Sequence, residues 1–115
     1  MRQDSFRKHE MHIEVSTDNS IDGSENLTSQ IRDLVRHELA NMEKHITRLE
    51  VHLSDSNADK TGPDDMHCML EARIEGLQPT AVKETAATVE QATKGAAAKM
   101  KNALESILGK RADRR

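Results

Sequence analysis

Apolar residues recur with two different periods along this chain, and the changes of period mark out its elements. In MHIEVS (residues 11–16) Ile13 and Val15 alternate with His12 and Glu14, the two-residue repeat of a half-buried strand. TDNSIDGS then supplies turn chemistry, with Asp22 and Glu25 spaced as a capping box. Leu27, Ile31, Leu34, Val35, Leu39, Met42 and Ile46 fall at helical spacing, and neither Gly nor Pro occurs between 24 and 61. The pattern predicts a helix over about 23–45 with one apolar stripe and a charged opposite face.

The period returns to two in ITRLEVHLSD, where Leu49, Val51 and Leu53 alternate with Arg48, Glu50 and His52. SDSNADKTGPDD has loop composition. MHCMLEARIEG alternates again and places Cys68, Leu70, Ala72 and Ile74 inward. After a turn at Gly76–Pro79, TAVKETA predicts a fourth, weaker strand. Thr88 and Gln91 form a second capping box, and Val89, Ala92, Ala96, Met100, Ala103, Leu104 and Ile107 a second helical stripe. Gly109 is placed to end that helix, and Gly95 within it costs about 1 kcal/mol relative to Ala.

The order β-α-β-β-β-α predicts an α+β fold, a two-layer sandwich with two helices packed on one face of a four-stranded sheet. The first crossover is expected to be right-handed and parallel, and the later strands an antiparallel meander. The other sheet face stays polar. Residues 1–10 are expected to form a flexible N-terminal tail, 11–109 a single domain, and 110–115 a basic C-terminal tail.

Composition narrows the function. Phe6 is the one aromatic residue, so the core must be aliphatic, and the missing rings argue against base-stacking on single strands and against an aromatic cage. The lone Cys68 can form neither an internal disulfide nor a structural zinc site, and its inward position makes it a small core hydrophobe. No stretch approaches the roughly 20 apolar residues of a membrane span, and MRQDSFRKHE has no apolar run. No membrane association is expected, and the location is expected to be cytoplasmic. The net charge of −3 hides a gradient: residues 11–30 and 61–90 each carry −4, whereas 91–115 carry +5. A basic end of this kind suits an anionic partner.

His12, His52 and His67 all alternate with core positions and share the open sheet face, but no flanking carboxylate is expected to orient them. Solvated histidines are the expectation, with no metal and no cofactor. No hydroxyl–imidazole–acid order can be argued from spacing, and a two-layer domain of this size offers little pocket; no enzyme activity is expected. Arg32 and Arg36, four apart, share a helix face and repel, which makes more sense beside an anion. Lys94 and Lys101 lie four residues from Glu90 and Glu105, so intrahelical ion pairs are expected there. Lys99 has no such acid on its own helix.

DNSIDGSENLT, ITRLEVHLSDSN and CMLEARIEGLQP, at these spacings, resemble the ribosome hibernation-promoting factor and ribosome-associated translation inhibitor family, also called sigma-54 modulation proteins, over about residues 11–110. The resemblance implies a stress-response ligand of the 30S subunit that keeps stored ribosomes inactive and touches 16S rRNA through basic residues on its two helices. Phosphate neutralisation needs no base reading and suits an aromatic-free chain. The family's basic track on the first helix falls here on Glu38, Asn41 and Lys44; Arg32 matches a further basic position. On the second helix Lys99 matches the common lysine, Asn102 replaces the next cation, and Glu90 stands near the usual aromatic. Lys110 and Arg111 keep the basic end. The RNA-binding set expected from this resemblance and from the like-charge pair is Arg32, Arg36, Lys44, Lys99, Lys110 and Arg111. Longer members add a dimerising C-terminal domain, so a monomer is expected here. The competing reading is an acidic protein-interaction module of the same fold with little or no RNA binding, recruiting through its sheet face or an edge strand.

Overall fold

The computed structural model describes residues 11–18, 21, 23–55 and 65–113, with the backbone alone given for 111–113. The expected tail 1–10, the loop at 56–64 and Asp22 lie outside the described residues. Strand β1 spans His12–Thr17, helix α1 Glu25–Glu38, β2 Ile46–Asp55, β3 Met66–Ile74, β4 Thr80–Ala86 and helix α2 Val89–Asp113. The sheet order is β1-β2-β3-β4, with β1 and β2 parallel and the two later pairs antiparallel. The expected two-layer architecture and meander are therefore present.

Alternation sorts the sheet into two faces. Ile13, Leu49, Val51, Leu53, Cys68, Leu70, Ala72 and Ile74 are buried beneath the helices. Ile31, Val35 and Leu39 close the core from the α1 side, and Ala92, Ala96, Ala97, Met100 and Leu104 from α2. α1 packs on β1 and α2, while α2 packs on β3 and β4. The alanines bring the α2 backbone close to the sheet, so Met100 and Leu104 reach full burial; a leucine-sized side chain so buried contributes about 1.5–3 kcal/mol. Thr93, also fully buried, satisfies its hydroxyl by donating to the Val89 carbonyl at 2.8 Å.

Three helix boundaries depart from expectation. The cap of α1 is Ser24, whose hydroxyl accepts from the Leu27 amide at 3.2 Å, so the helix starts at Glu25 and not at 23. α1 stops at Glu38; Ala40–His45 winds as a 3-10 helix instead of continuing to 45. Three residues per turn place Met42 on the same side as Leu39, so both are buried, and Ile46 follows as the first residue of β2. Gly109 does not end α2, which continues to Asp113. A glycine in an exposed helical turn costs propensity without compelling a stop when no sterically special conformation is required. The Thr88 cap holds as expected, accepting from the Gln91 amide at 3.0 Å. Gly76 sits at φ 82° in the β3–β4 turn, a left-handed conformation that a side chain would strain, and Leu77 N–H closes that turn onto the Ile74 carbonyl at 3.0 Å.

Candidate nucleic-acid interface

The expected cations fall on three separate parts of the surface. Arg32 and Arg36 are partly exposed and lie on the flank of α1 turned away from α2, because helical winding puts them opposite Gln30, Leu34 and His37. Lys44 is exposed, and it belongs to the 3-10 segment, not to α1. Lys110 is exposed near the end of α2, and the Arg111 side chain lies outside the described residues. Among the described residues, Arg32, Lys44 and Lys110 make no ion pair.

Lys99 corrects one expectation. It does have an acid, supplied by the sheet: its Nζ lies 2.8 Å from Glu84 Oε1 and donates to the Lys83 carbonyl at 2.9 Å. Glu84 reaches it because β4 turns Glu84 toward the helices, opposite Cys68, and because Gly95 leaves room. A Cβ on Gly95 would stand 2.6 Å from Glu84 Cγ and 2.8 Å from Oε2. Lys99, one turn beyond Gly95, completes a clasp of helix to edge strand and covers an edge carbonyl. The expected pairs on α2 are absent: among the described residues neither Lys94 nor Lys101 makes an ion pair with Glu90 or Glu105. Sequence reasoning paired the wrong lysines because it counted along one helix. The signal it passed over was an acid alternating inward on TAVKETA together with a glycine inside the following helix.

The flanks of the helical layer therefore differ. Arg32 and Arg36 border the β1 side, Lys99 the β4 side, and between the helices lies a cleft rimmed by Asp33, Glu38 and Glu90 with Lys94. The structure does not gather the expected set into one patch.

The open sheet face is charge-striped. Register places Glu14, Glu50 and Glu71 side by side across β1, β2 and β3, with His12, Arg48 and Arg73 as the neighbouring row. Like charges directly opposite destabilise a sheet, so the cations must offset them. Arg48 Nε donates to Glu50 Oε2 at 2.9 Å, His12 Nε2 meets Glu14 Oε2 at 2.8 Å, and His52 Nε2 meets Glu50 Oε1 at 3.3 Å. The hydrogen bond from Arg48 holds the Glu50 carboxyl below the usual carboxylate range, and the one from His12 does the same for Glu14. His12 and His52 are thus oriented by carboxylates after all, contrary to expectation, whereas the His67 ring is held by the Thr85 hydroxyl at 3.1 Å, with Asp65 at 3.9 Å. They do not converge: His12 pairs with Arg48, His52 with Ser16 and Met69, and His67 with Ser54 and Thr85. Among the described residues no three His, Cys, Asp or Glu side chains are placed to hold a metal ion. Cys68 is buried, and burial pushes its thiol up to about 11, with a smaller opposing effect from a hydrogen bond with Thr93.

A four-stranded sheet carrying both helices on one face, its other face lined with charged side chains, defines a small two-layer α+β domain. The chain belongs to the sigma 54 modulation protein / S30EA ribosomal protein family, whose profile it matches over residues 13–112. Its fold is similar to that of a ribosomal subunit interface protein from Coxiella burnetii, at 13% identity and a TM-score of 0.67, covering 86% of this chain and 99% of that one. It is also similar to the N-terminal domain of Thermus thermophilus Protein Y, at 15% identity and a TM-score of 0.61, covering 85% and 98%. No curated protein matches the chain. At these identities the structural likeness is one of fold. The family is one of ribosome-associated, non-enzymatic hibernation and modulation factors, so the chain is a ribosome-associated binding protein and not an enzyme. No helix among the described residues is long and apolar enough to cross a membrane.

Proposed function

We propose that this protein binds the small ribosomal subunit in the cytoplasm as a monomer and holds it in a translationally inactive state by neutralising 16S rRNA phosphates. The observation that carries this reading is the family match across residues 13–112. The phosphate-facing set is Arg32, Arg36, Lys44, Lys99, Lys110 and Arg111. Exposure of Lys44 and Lys110, with no ion pair among the described residues, supports their part in it. Lys99 contributes at a cost, since its ammonium must share or leave Glu84.

The test is sedimentation of 30S particles with the protein across a salt series. Each phosphate contact contributes about 0.7–0.9 to the log–log salt slope, so reversing Arg32 and Lys44 together lowers the slope by about 1.5. Reversing Lys94 and Lys101 changes net charge equally and is expected to weaken association less. Lys99 is left out of the first pair because reversing it also breaks the clasp to Glu84. Absence of co-sedimentation at low salt overturns the proposal, and equal losses from the two double variants overturn the residue assignment.

A further inference from the structure

The cleft between α1 and α2 has the wrong sign for a phosphate backbone. It encloses about 840 Å³. Its floor is made by Leu27, Leu34 and Val89, each only partly buried and packed on the core below. Asp33, Glu38 and Glu90 stand on its rim against a single lysine, Lys94. Among the described residues none of these three carboxylates has an ion-pair partner. Glu90 stands in the first turn of α2, where the positive helix end offsets part of its charge, and three carboxylates against one lysine still leave the rim net acidic.

We propose that this cleft is a docking site for a cationic, apolar-anchored segment of a partner protein. Leucine- or valine-sized side chains would cover Leu27, Leu34 and Val89, and flanking Lys or Arg would meet the three carboxylates. Charge complementarity selects this occupant: an RNA strand would bring phosphates against the acidic rim, whereas a basic peptide gains both burial and attraction. The site differs from the Arg32–Arg36 flank, which helical winding turns away from the cleft. The proposal stands independently of the ribosome reading, and it locates a protein-binding surface between the helices instead of on the sheet face or an edge strand.

The test titrates the full chain with a fluorescent helical peptide of Lys, Leu and Ala, about four turns long at 3.6 residues per turn, leucines on one face. A counterpart with Glu in place of Lys serves as the second probe. Saturable binding of the cationic peptide alone is expected. Leu34→Ser should weaken it about tenfold, as loss of a central contact does, and Glu90→Lys, which turns an attraction on the rim into a repulsion, by a similar factor. Glu14→Lys, on the open sheet face with the same change in net charge, should alter it less than about twofold. Glu90→Lys changes an exposed side chain, so the comparison survives if Leu34→Ser fails to fold. Equal losses from Glu90→Lys and Glu14→Lys, or no saturable binding, overturn the proposal. Micromolar self-association abolished by Leu34→Ser also overturns it, assigning the cleft to a second copy.

Discussion

Replacing Gly95 by Ala sets two local effects against each other, and the geometry decides between them. In an open helix the substitution stabilises by about 1 kcal/mol, because glycine has more backbone entropy to lose. Here the new Cβ meets Glu84 Cγ at 2.6 Å and Oε2 at 2.8 Å, against a favourable separation of about 3.5–4.0 Å. Glu84 is fixed by its strand, so its carboxylate must swing out and release Lys99. That pair is part-exposed, with side chains 55% and 31% accessible, and is worth about 0.2–1 kcal/mol. Crowding in a packed layer adds about 1–3 kcal/mol. The net expectation is a loss of about 1 kcal/mol, or roughly 5 °C in Tm for a domain of this size. Once Glu84 is truncated to Ala the obstruction is gone, and the same Gly95→Ala change should stabilise by about 1 kcal/mol. Urea unfolding of wild type, both single variants and the double variant reads this reversal of sign as a coupling energy of about 2 kcal/mol. If Gly95→Ala stabilises equally in both backgrounds, the clasp does not exist as described.

Three further expectations follow from the core and the sheet face. Leu70→Ala, at a fully buried position beneath the helices, should cost about 2–5 kcal/mol by chemical denaturation, while leaving far-UV circular dichroism unchanged under native conditions. Cys68, its thiol pushed up to about 11, should react with iodoacetamide at pH 8 no faster than the chain unfolds; rapid labelling of native protein contradicts its placement. Glu50 has a folded pKa below its ordinary value of 4.5, so its contribution is present above that pH and is lost as pH falls through the lower folded value. Glu50→Gln should therefore flatten the pH dependence of Tm below about pH 4.5, and an unchanged acid limb counts against the Arg48–Glu50 contact.

The fold was legible wherever a whole element repeated one period. Leu49, Val51 and Leu53 alternate without exception, and so do Cys68, Leu70, Ala72 and Ile74; both strands lie where that pattern puts them. The end of α1 was not legible, because Met42 and Ile46 suit a helical stripe, a 3-10 turn and a strand start alike. Choosing among these depends on where the sheet edge lies, which no local window contains. The same limit applies to charges. Lys99 and Glu84 meet across two elements, whereas Lys94–Glu90 and Lys101–Glu105 satisfied a rule of spacing that the helix does not use. Family membership was readable from long phrases, since these encode element order; the distribution of cations over separate flanks required the packing.

The placement of β1 bears on how the chain reaches its folded state during synthesis. Among the described residues its one partner is β2, and His12 pairs with Arg48, so β1 waits for more than thirty further residues before that ladder can close. The meander β2–β3–β4 has short-range connections by comparison, and α2 follows it directly and packs on β3 and β4. Closing distant segments is slow relative to local pairing. Contact range therefore favours pairing of β2, β3 and β4 under α2 before β1 and α1 dock, which runs against the order in which the ribosome releases these elements.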